Sequence, residues 1–321
     1  MRTFDYDSFE TAPIPGEVRL YLALIKEYKG KLQDLYLRKP DTLNKMIHFA
    51  RQRGAGSSNR LEGIATSDKR LAALLDGEVK PVNRAEKEIL GYKYCLDLIR
   101  KNHVTATITP GYIMMLHESL YRYCPSPESG RFITPESLVK ADGEEAWNPE
   151  CSESAVHEDE VIRQEDLPDA EMMNSDQADP HYGNPDRVRT VHFVPVTARD
   201  KEQAMRDLCN AYNRAMAKNN VSSLILGMQF VLDFLCISPF KEGNGRMSRL
   251  LMLLILYQND YKAGKCISLE TMIEKTRKGY CESLHSSTQN WQEGTNNPWP
   301  FISYMLGIIL AAYRELENRF V

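Results

Sequence analysis

The sequence has few of the features that mark a membrane protein, a nucleic-acid-binding protein or a disulfide framework. Its longest apolar runs, residues 250–256 and residues 301–312, are too short to span a bilayer and predict buried helices instead. Its net charge is −4, so no basic excess points to nucleic acid or to an anionic membrane. The seven cysteines are an odd number without a CxxC pair. This usage argues against a zinc site and predicts a reduced, cytoplasmic protein.

The start of the chain gives no sign of a targeting segment. The stretch MRTFDYDSFETAPIPGEV lacks a basic region followed by apolar residues, so we expect no signal peptide. With 321 residues, of which 42% are hydrophobic and 26% charged, the chain can bury a core as one large domain or as two smaller ones.

Apolar residues recur at helical spacing along most of the chain. Gly54 is expected to end the helix predicted at residues 43–53. The fold class is therefore predicted to be all-α. We predict helices at residues 17–37, 43–53, 83–102, 110–123, 198–218, 222–236, 245–259, 269–286 and 298–319.

One region interrupts the helical pattern. Residues 141–190 contain 15 Asp or Glu against 3 Lys or Arg, together with four prolines. Such a segment cannot bury much apolar surface, and we interpret it as a flexible acidic insert, with a partner-docking or self-occluding element as the alternative. The adjoining residues 188–196, VRTVHFVPV, alternate like a strand. Residues 130–139 are its predicted hairpin partner, and an irregular loop is the alternative.

The stretch KEGNGRMSR has the composition of an anion-binding loop. Gly243 and Gly245 flank Asn244, so successive backbone N–H groups can form a concave nest for phosphate oxygens. A helix predicted to start at once adds its positive end. Arg246 and Arg249 are three residues apart, so both guanidinium groups project from one face of the first turn.

Glu242 and Ser238 complete the candidate site. A carboxylate beside several phosphate donors is best explained by Mg²⁺, which bridges it to phosphate oxygens, so Glu242 is the predicted metal ligand. Ser238 stands where we expect a general base, but a serine hydroxyl stays protonated near neutral pH. A Walker A loop is excluded because no Gly-Lys-Ser/Thr follows, and a dinucleotide fingerprint is excluded because no βαβ pattern surrounds the stretch.

The stretch SPFKEGNGRMSR resembles the signature of the Fic (filamentation induced by cAMP) family, H-x-F-x-D/E-G-N-G-R-x-x-R. It departs from that signature at Ser238, where the family has histidine. Upstream, SSNRLEG is similar to the family's autoinhibitory motif, S/T-x-x-x-E-G/N, with Ser58, Glu62 and Gly63 in place. The resemblance covers about residue 14 to the C terminus, apart from the acidic insert. It implies the Fic fold, a helical bundle with a small β-hairpin flap.

The resemblance also implies a division of the chain. Residues 1–80 would be an N-terminal helical region that carries the inhibitory motif. Residues 81–321 would be the Fic domain, with the acidic insert in or near the flap.

Fic proteins mostly transfer AMP from ATP to a hydroxyl group of a protein, and the resemblance implies a role for each matching residue. Glu242 would hold Mg²⁺. The backbone of residues 243–245 and the Asn244 side chain would hold the α- and β-phosphates. Arg246 would stabilise the leaving pyrophosphate, and Arg249 would reach the γ-phosphate.

Further roles fall outside the loop. Glu62 would pair with Arg249 in an inhibited state. Tyr280 would lie near the adenine, with a place in the core as the alternative. The flap would add a strand to the target segment through main-chain hydrogen bonds. The flap residues are Thr190, Val191, His192 and Phe193.

The expected activity is a protein adenylyltransferase with ATP and Mg²⁺ as cofactors. General-base catalysis contributes about 10²–10⁴-fold, and electrostatic stabilisation usually contributes more. We therefore expect Ser238 to lower the activity without abolishing it. His192 is the histidine to watch as a substitute, with a strand residue that faces solvent as the alternative. The expected partners are the protein itself, another protein and, as an open question, a second copy in a homodimer. The alternatives are a nucleotide-binding pseudoenzyme or sensor and a hydrolase that removes AMP with Glu62 aligning a water.

Overall fold

Helices account for almost all the regular structure in the computed structural model. The structure describes residues 2–38, 40–138, 193 and 195–319. Over these residues it contains no strand, which confirms the all-α prediction. A short 3-10 helix spans Asp7–Glu10. The α-helices are α1 (Gly16–Arg38), α2 (Pro40–Arg60), α3 (Asp68–Asp76), α4 (Arg84–Asn102), α5 (Pro110–Leu120), α6 (Pro135–Leu138), α7 (Lys201–Lys218), α8 (Ser223–Ile237), α9 (Asn244–Gln258), α10 (Ala263–Cys266), α11 (Leu269–Lys275), α12 (Arg277–Thr288) and α13 (Trp299–Asn318).

Side-chain caps fix the starts of α4 and α5, the two helices that lie beside the candidate site. The Asn83 side chain accepts a hydrogen bond from the Glu86 N–H at 2.9 Å where α4 begins. The Thr109 hydroxyl accepts one from the Tyr112 N–H at 3.2 Å where α5 begins. Pro110 follows at the first position of α5, where no intrahelical N–H bond is lost. Each cap satisfies an amide that has no acceptor in its own helix and contributes about 1 kcal/mol.

Helix α2 continues beyond the point where the sequence predicts its end. Gly54 does not stop the helix. A Cβ atom at Gly54 would lie 2.9 Å from Oε2 of Glu270, so the glycine allows α2 to approach α11 closely. The longer helix has a consequence for the predicted inhibitory motif. Ser58 lies within α2, and Glu62 lies in the turn that follows it.

The single helix predicted at residues 269–286 is divided in the structure. Helices α11 and α12 meet at Thr276. The Thr276 hydroxyl donates to the Met272 carbonyl oxygen at 2.8 Å and lies 2.7 Å from the Tyr304 hydroxyl. A threonine that bonds the backbone one turn back often bends a helix. Tyr304 is on α13, so the sequence around Thr276 gives no warning of this contact.

The predicted β-hairpin flap is not found in the described residues. Its first strand, predicted at residues 130–139, is instead an irregular segment followed by α6. The Ile133 N–H donates to the Pro239 carbonyl oxygen at 2.9 Å, so this segment bonds to the backbone of the candidate loop. The second strand lies mostly outside the described residues, as do Thr190, Val191, His192 and the whole acidic insert at residues 141–190.

Helices α8 and α9 lie at the centre of the core. Residues 224–237 of α8 and residues 245–257 of α9 are all buried. Helix α8 packs against α7 and α9, and α2 and α4 also pack against α9. The loop between α8 and α9 is therefore held by the core on several sides. Among the described residues, no helix has both the length and the apolar character needed to cross a membrane.

Candidate active site

The anion loop, residues 238–245, leaves α8 in a left-handed conformation. Ser238 has φ 48° and ψ 63°, and it is 5% exposed. Its N–H donates to the Phe234 carbonyl oxygen at 2.9 Å, and its own carbonyl oxygen accepts from Lys201 Nζ at 2.6 Å. Residues with a Cβ atom rarely hold this conformation unless their surroundings impose it. Lys201 is buried, and sequence reasoning missed it because a lysine on an amphipathic helix is expected to face solvent.

Phe240 and Asn244 close the middle of the anion loop. The Phe240 ring is buried, and its centroid lies 3.7 Å from that of His117 with the two rings parallel. The Asn244 side chain accepts from the Phe240 N–H at 3.0 Å and donates to the Phe240 carbonyl oxygen at 2.7 Å. Both ends of the Asn244 amide are therefore engaged in shaping the loop. The amide nitrogen carries two N–H groups, so the phosphate contact predicted for this side chain does not require these bonds to break.

His117 is a second residue that sequence reasoning did not assign to the site. The Gly130 N–H donates to His117 Nδ1 at 2.9 Å, so Nε2 carries the proton and donates to the Glu242 carbonyl oxygen at 3.1 Å. Burial lowers the pKa of His117 to about 4. The imidazole is therefore neutral near pH 7, and it fixes the backbone of the loop at the candidate metal ligand.

Helix α9 begins within the anion loop, at Asn244. Gly243 has φ 78°, and a Cβ atom there would lie 2.9 Å from the Tyr121 hydroxyl. The Met247 N–H donates to the Gly243 carbonyl oxygen at 2.9 Å, which is the first backbone bond of the helix. The N–H groups before it, those of residues 244–246, have no acceptor in the helix by geometry. This end of α9 therefore favours an anion.

The guanidinium of Arg246 is buried against three other helices. Its Nη1 atom lies 2.7 Å from Glu88 Oε2 and donates to Asn59 Oδ1 at 3.2 Å. Its Nη2 atom donates to the Tyr121 hydroxyl at 2.8 Å. Its Nε–H group is buried and has no hydrogen-bond partner within the described part of the chain. Buried donors without an acceptor are uncommon in folded proteins, so this one calls for an explanation.

Arg249 is equally buried but meets the predicted inhibitory motif. Its Nε donates to the Ser58 hydroxyl at 2.8 Å, and its Nη2 donates to the Ser58 carbonyl oxygen at 2.9 Å. Nη2 also lies 2.7 Å from Glu62 Oε1. The structure thus brings together Ser58, Glu62 and Arg249 of one chain. Gly63 follows with φ 73°, a conformation that suits glycine where the chain leaves the turn.

The end of α2 that carries this motif is tied to α11. The Ser57 hydroxyl lies 2.9 Å from that of Thr271, and Arg60 Nε donates to Glu274 Oε1 at 2.6 Å. These contacts set the position of the turn that contains Glu62. They come from residues more than 200 positions apart, and no local pattern in the sequence predicts them.

Glu242 faces outward. Its side chain is 54% exposed, and Oε2 lies 2.5 Å from Arg84 Nη2. It borders a cavity of about 410 Å³ between the start of α4, the end of α5 and the anion loop. Arg84, Lys87 and Lys241 supply positive charge around this cavity.

Tyr280 and Phe193 both pack against aromatic rings. Tyr280 is 3% exposed, and its ring packs 6.1 Å from Phe301 and 5.9 Å from Tyr304. Tyr280 is therefore buried in the core, and its place near the adenine stays a prediction. Phe193, the one predicted flap residue that the structure describes, packs edge-on against Trp291 at 6.2 Å.

The fold and the site define an all-α protein with a candidate anion-binding loop between two buried helices. Residues 164–256 match the model of the Fic/DOC family. This part of the chain is therefore similar to the Fic/DOC family. No curated protein matches the chain.

Solved structures of Fic proteins share the fold. A Fic family protein from Desulfovibrio desulfuricans G20 is 20% identical with a TM-score of 0.67, covering 96% of this chain and 76% of that one. A Fic domain containing signaling protein from Bacteroides thetaiotaomicron VPI-5482 is 16% identical with a TM-score of 0.64, covering 91% and 95%. A fragment of Fic-1 from C. elegans is 14% identical with a TM-score of 0.62, covering 98% and 73%.

Proposed function

We propose that this protein is an adenylyltransferase that moves AMP from ATP to a protein hydroxyl group, on itself and on another protein. The observation that carries the proposal is the orphaned Nε–H of Arg246 beside the N-terminus of α9. A phosphate oxygen of a bound nucleotide would supply the missing acceptor. The same oxygen would lie near the positive end of α9 and near the positive charge of the Arg246 guanidinium.

The residues present fit a Mg²⁺–nucleotide complex rather than a metal held by protein alone. No cluster of three or more His, Cys, Asp or Glu suited to a metal occurs in the described ranges. Mg²⁺ at nucleotide sites is commonly held by one or two carboxylates and the substrate phosphates, and Glu242 is an exposed carboxylate of this kind. When bound, the ion would neutralise charge on the phosphates.

The side chains of the site would then share the work of positioning and charge stabilisation. The N–H groups of residues 244–246 would hold phosphate oxygens, and Arg246 would stabilise the charge that develops on the leaving pyrophosphate. The target's hydroxyl oxygen would bond to the α-phosphorus as the bond to the pyrophosphate oxygen breaks. Its proton would leave to water, with Ser238 relaying it or orienting the hydroxyl. Asn244 would hold the loop in shape.

Glu62 would restrain this reaction. It pairs with Arg249, which would otherwise reach the γ-phosphate, and the pair forms within one chain. ATP would bind productively only after the Glu62 carboxylate moves away from that guanidinium.

The function is tested by incubating the purified protein with α-labelled ATP and Mg²⁺ and measuring its intact mass. We expect a gain of one AMP in the wild-type protein and none in Glu242→Gln, a variant expected to fold because the residue is exposed. No gain, with ATP binding still seen by calorimetry, would leave a nucleotide-binding pseudoenzyme. Loss of AMP from a pre-modified target would identify a hydrolase instead.

The role of position 238 gives a separate prediction. Ser238→His would restore a general base, and we expect labelling to become faster by about 10²-fold or more. Ser238→Ala is the matched control and should lower the rate only modestly, because the remaining catalysis comes from charge stabilisation and positioning. Labelling rates are measured at saturating ATP. A Ser238→His protein no faster than wild type would contradict the assignment of this position.

A further inference from the structure

Arg84 stands directly at the candidate metal ligand, and neither the family signature nor the sequence analysis gives it a role. We propose that Arg84 is a resident cation that competes with Mg²⁺ for Glu242, and so sets the metal concentration at which the site fills. The inference rests on the proposed function, because it concerns the same carboxylate. It goes beyond that function by naming a residue that determines metal affinity.

The first argument is the position of the guanidinium. Arg84 Nη2 lies 2.5 Å from Glu242 Oε2, so it covers an oxygen that a metal ion would need. The two side chains are 64% and 54% exposed. Ion pairs this exposed are weak, so a dication that also binds phosphate can displace the arginine.

The second argument is that Arg84 is held in place from behind. Its Nε donates to Glu88 Oε1 at 2.7 Å, and the other oxygen of Glu88 lies 2.7 Å from Arg246 Nη1. Glu88 is only 5% exposed and belongs to the core of α4. Arg84 therefore keeps one fixed partner whether or not Glu242 is available, and it remains within reach of the metal position.

The third argument is access. The Arg84–Glu242 pair borders the cavity of about 410 Å³, so ions from solvent can reach it. Lys87 and Lys241 line the same cavity but form no ion pair with Glu242 among the described residues. These two lysines have the same charge as Arg84 and line the same cavity. They are therefore natural controls for a general electrostatic effect.

The test measures metal binding directly. Mn²⁺, as a stand-in for Mg²⁺, is titrated into the full-length protein that holds a non-hydrolysable ATP analogue, and free Mn²⁺ is followed by electron paramagnetic resonance. Arg84→Gln should bind Mn²⁺ about fivefold more tightly than wild type. Lys87→Gln and Lys241→Gln should each change the affinity by about twofold or less. Thermal melts check that each variant is folded.

A double-mutant cycle separates competition from a change in the general field. In a Glu242→Gln background, Arg84→Gln should have no effect on Mn²⁺ affinity, because the shared carboxylate is gone. An effect of equal size in both backgrounds overturns the proposal. It is equally overturned if Arg84→Gln and wild type bind Mn²⁺ alike, or if neither shows any binding that depends on Glu242.

Failure of this proposal and failure of the proposed function give different results. Tighter Mn²⁺ binding in Arg84→Gln with no AMP transfer in any variant would support the competition and refute the transferase. AMP transfer with the same Mg²⁺ dependence in wild type and Arg84→Gln would support the transferase and refute the competition.

Discussion

Arg246 and Arg249 are one turn apart on α9, and each meets a carboxylate at 2.7 Å, yet the two carboxylates lie on different kinds of structure. Glu88 is inside α4, and its side chain is 5% exposed. Glu62 lies in the turn after α2, and its side chain is 18% exposed. The same pairing of charges therefore rests once on a core helix and once on a surface turn.

This difference in surroundings indicates which of the two ion pairs can open. Moving Glu88 would disturb α4 and leave a buried guanidinium without its counterion, which is costly. Moving Glu62 requires only a change in a turn, and Arg249 keeps its two bonds to Ser58. We infer that Glu88 stays paired with Arg246 as a permanent part of the fold. Glu62 is the partner that can separate from Arg249.

The largest expected effect follows from breaking the permanent pair. Glu88→Gln keeps the shape of the side chain but removes the charge that faces Arg246. We expect the free energy of unfolding to fall by about 3–5 kcal/mol, because an uncompensated charge is left buried. Urea unfolding followed by circular dichroism measures it.

Glu62→Gln is the matched control for this change. It removes the same charge from the pair in which Glu62 is 18% exposed, and we expect a smaller loss than in Glu88→Gln, because Arg249 keeps its two bonds to Ser58. Equal losses in the two variants would show that the two pairs do not differ in the way their surroundings suggest.

Acid should lower the stability of the fold through His117, which holds the backbone of the anion loop at Glu242. Its folded-state pKa of about 4 lies below the ordinary value of 6.5, so between these pH values the unfolded chain binds more protons than the folded one. Stability is therefore complete above pH 6.5 and is lost as the pH falls towards 4, by about 3 kcal/mol from this group. Urea unfolding at a series of pH values measures the loss.

A comparison of variants isolates the contribution of this histidine. His117→Gln should be less stable at pH 7 and should lose less further stability on acidification than wild type does. His285→Gln, which removes an exposed histidine, is the control. If His117→Gln and wild type lose stability in parallel, another group causes the acid sensitivity.

Opening the releasable pair should have the smallest cost in stability and a visible effect on activity. Glu62→Gly removes the carboxylate from Arg249, and we expect AMP labelling to rise by about tenfold, equivalent to ~1.4 kcal/mol. Arg60→Ala, which frees the same turn from Glu274 without touching Arg249, should give a smaller rise. Unchanged labelling in Glu62→Gly would remove its proposed inhibitory role.

The sequence predicts most helices because their apolar spacing and caps are local properties. The helices predicted at residues 83–102 and 110–123 begin within one residue of those observed. Gly54 misleads because its purpose is tertiary, namely the approach of the Glu270 carboxylate. At Thr276 the local pattern predicts one continuous helix, whereas the contact of Thr276 with Tyr304 accompanies a division into α11 and α12.

The sequence by itself determined the chemical character of the site. The glycines of the anion loop, the two arginines and Glu242 are adjacent in the chain, so local geometry and family resemblance suffice to bring them together. Only the tertiary structure decided what surrounds them. Tyr121 reaches Arg246 across 125 residues and Arg84 reaches Glu242 across 158, because helix packing selects these partners and no local spacing records it.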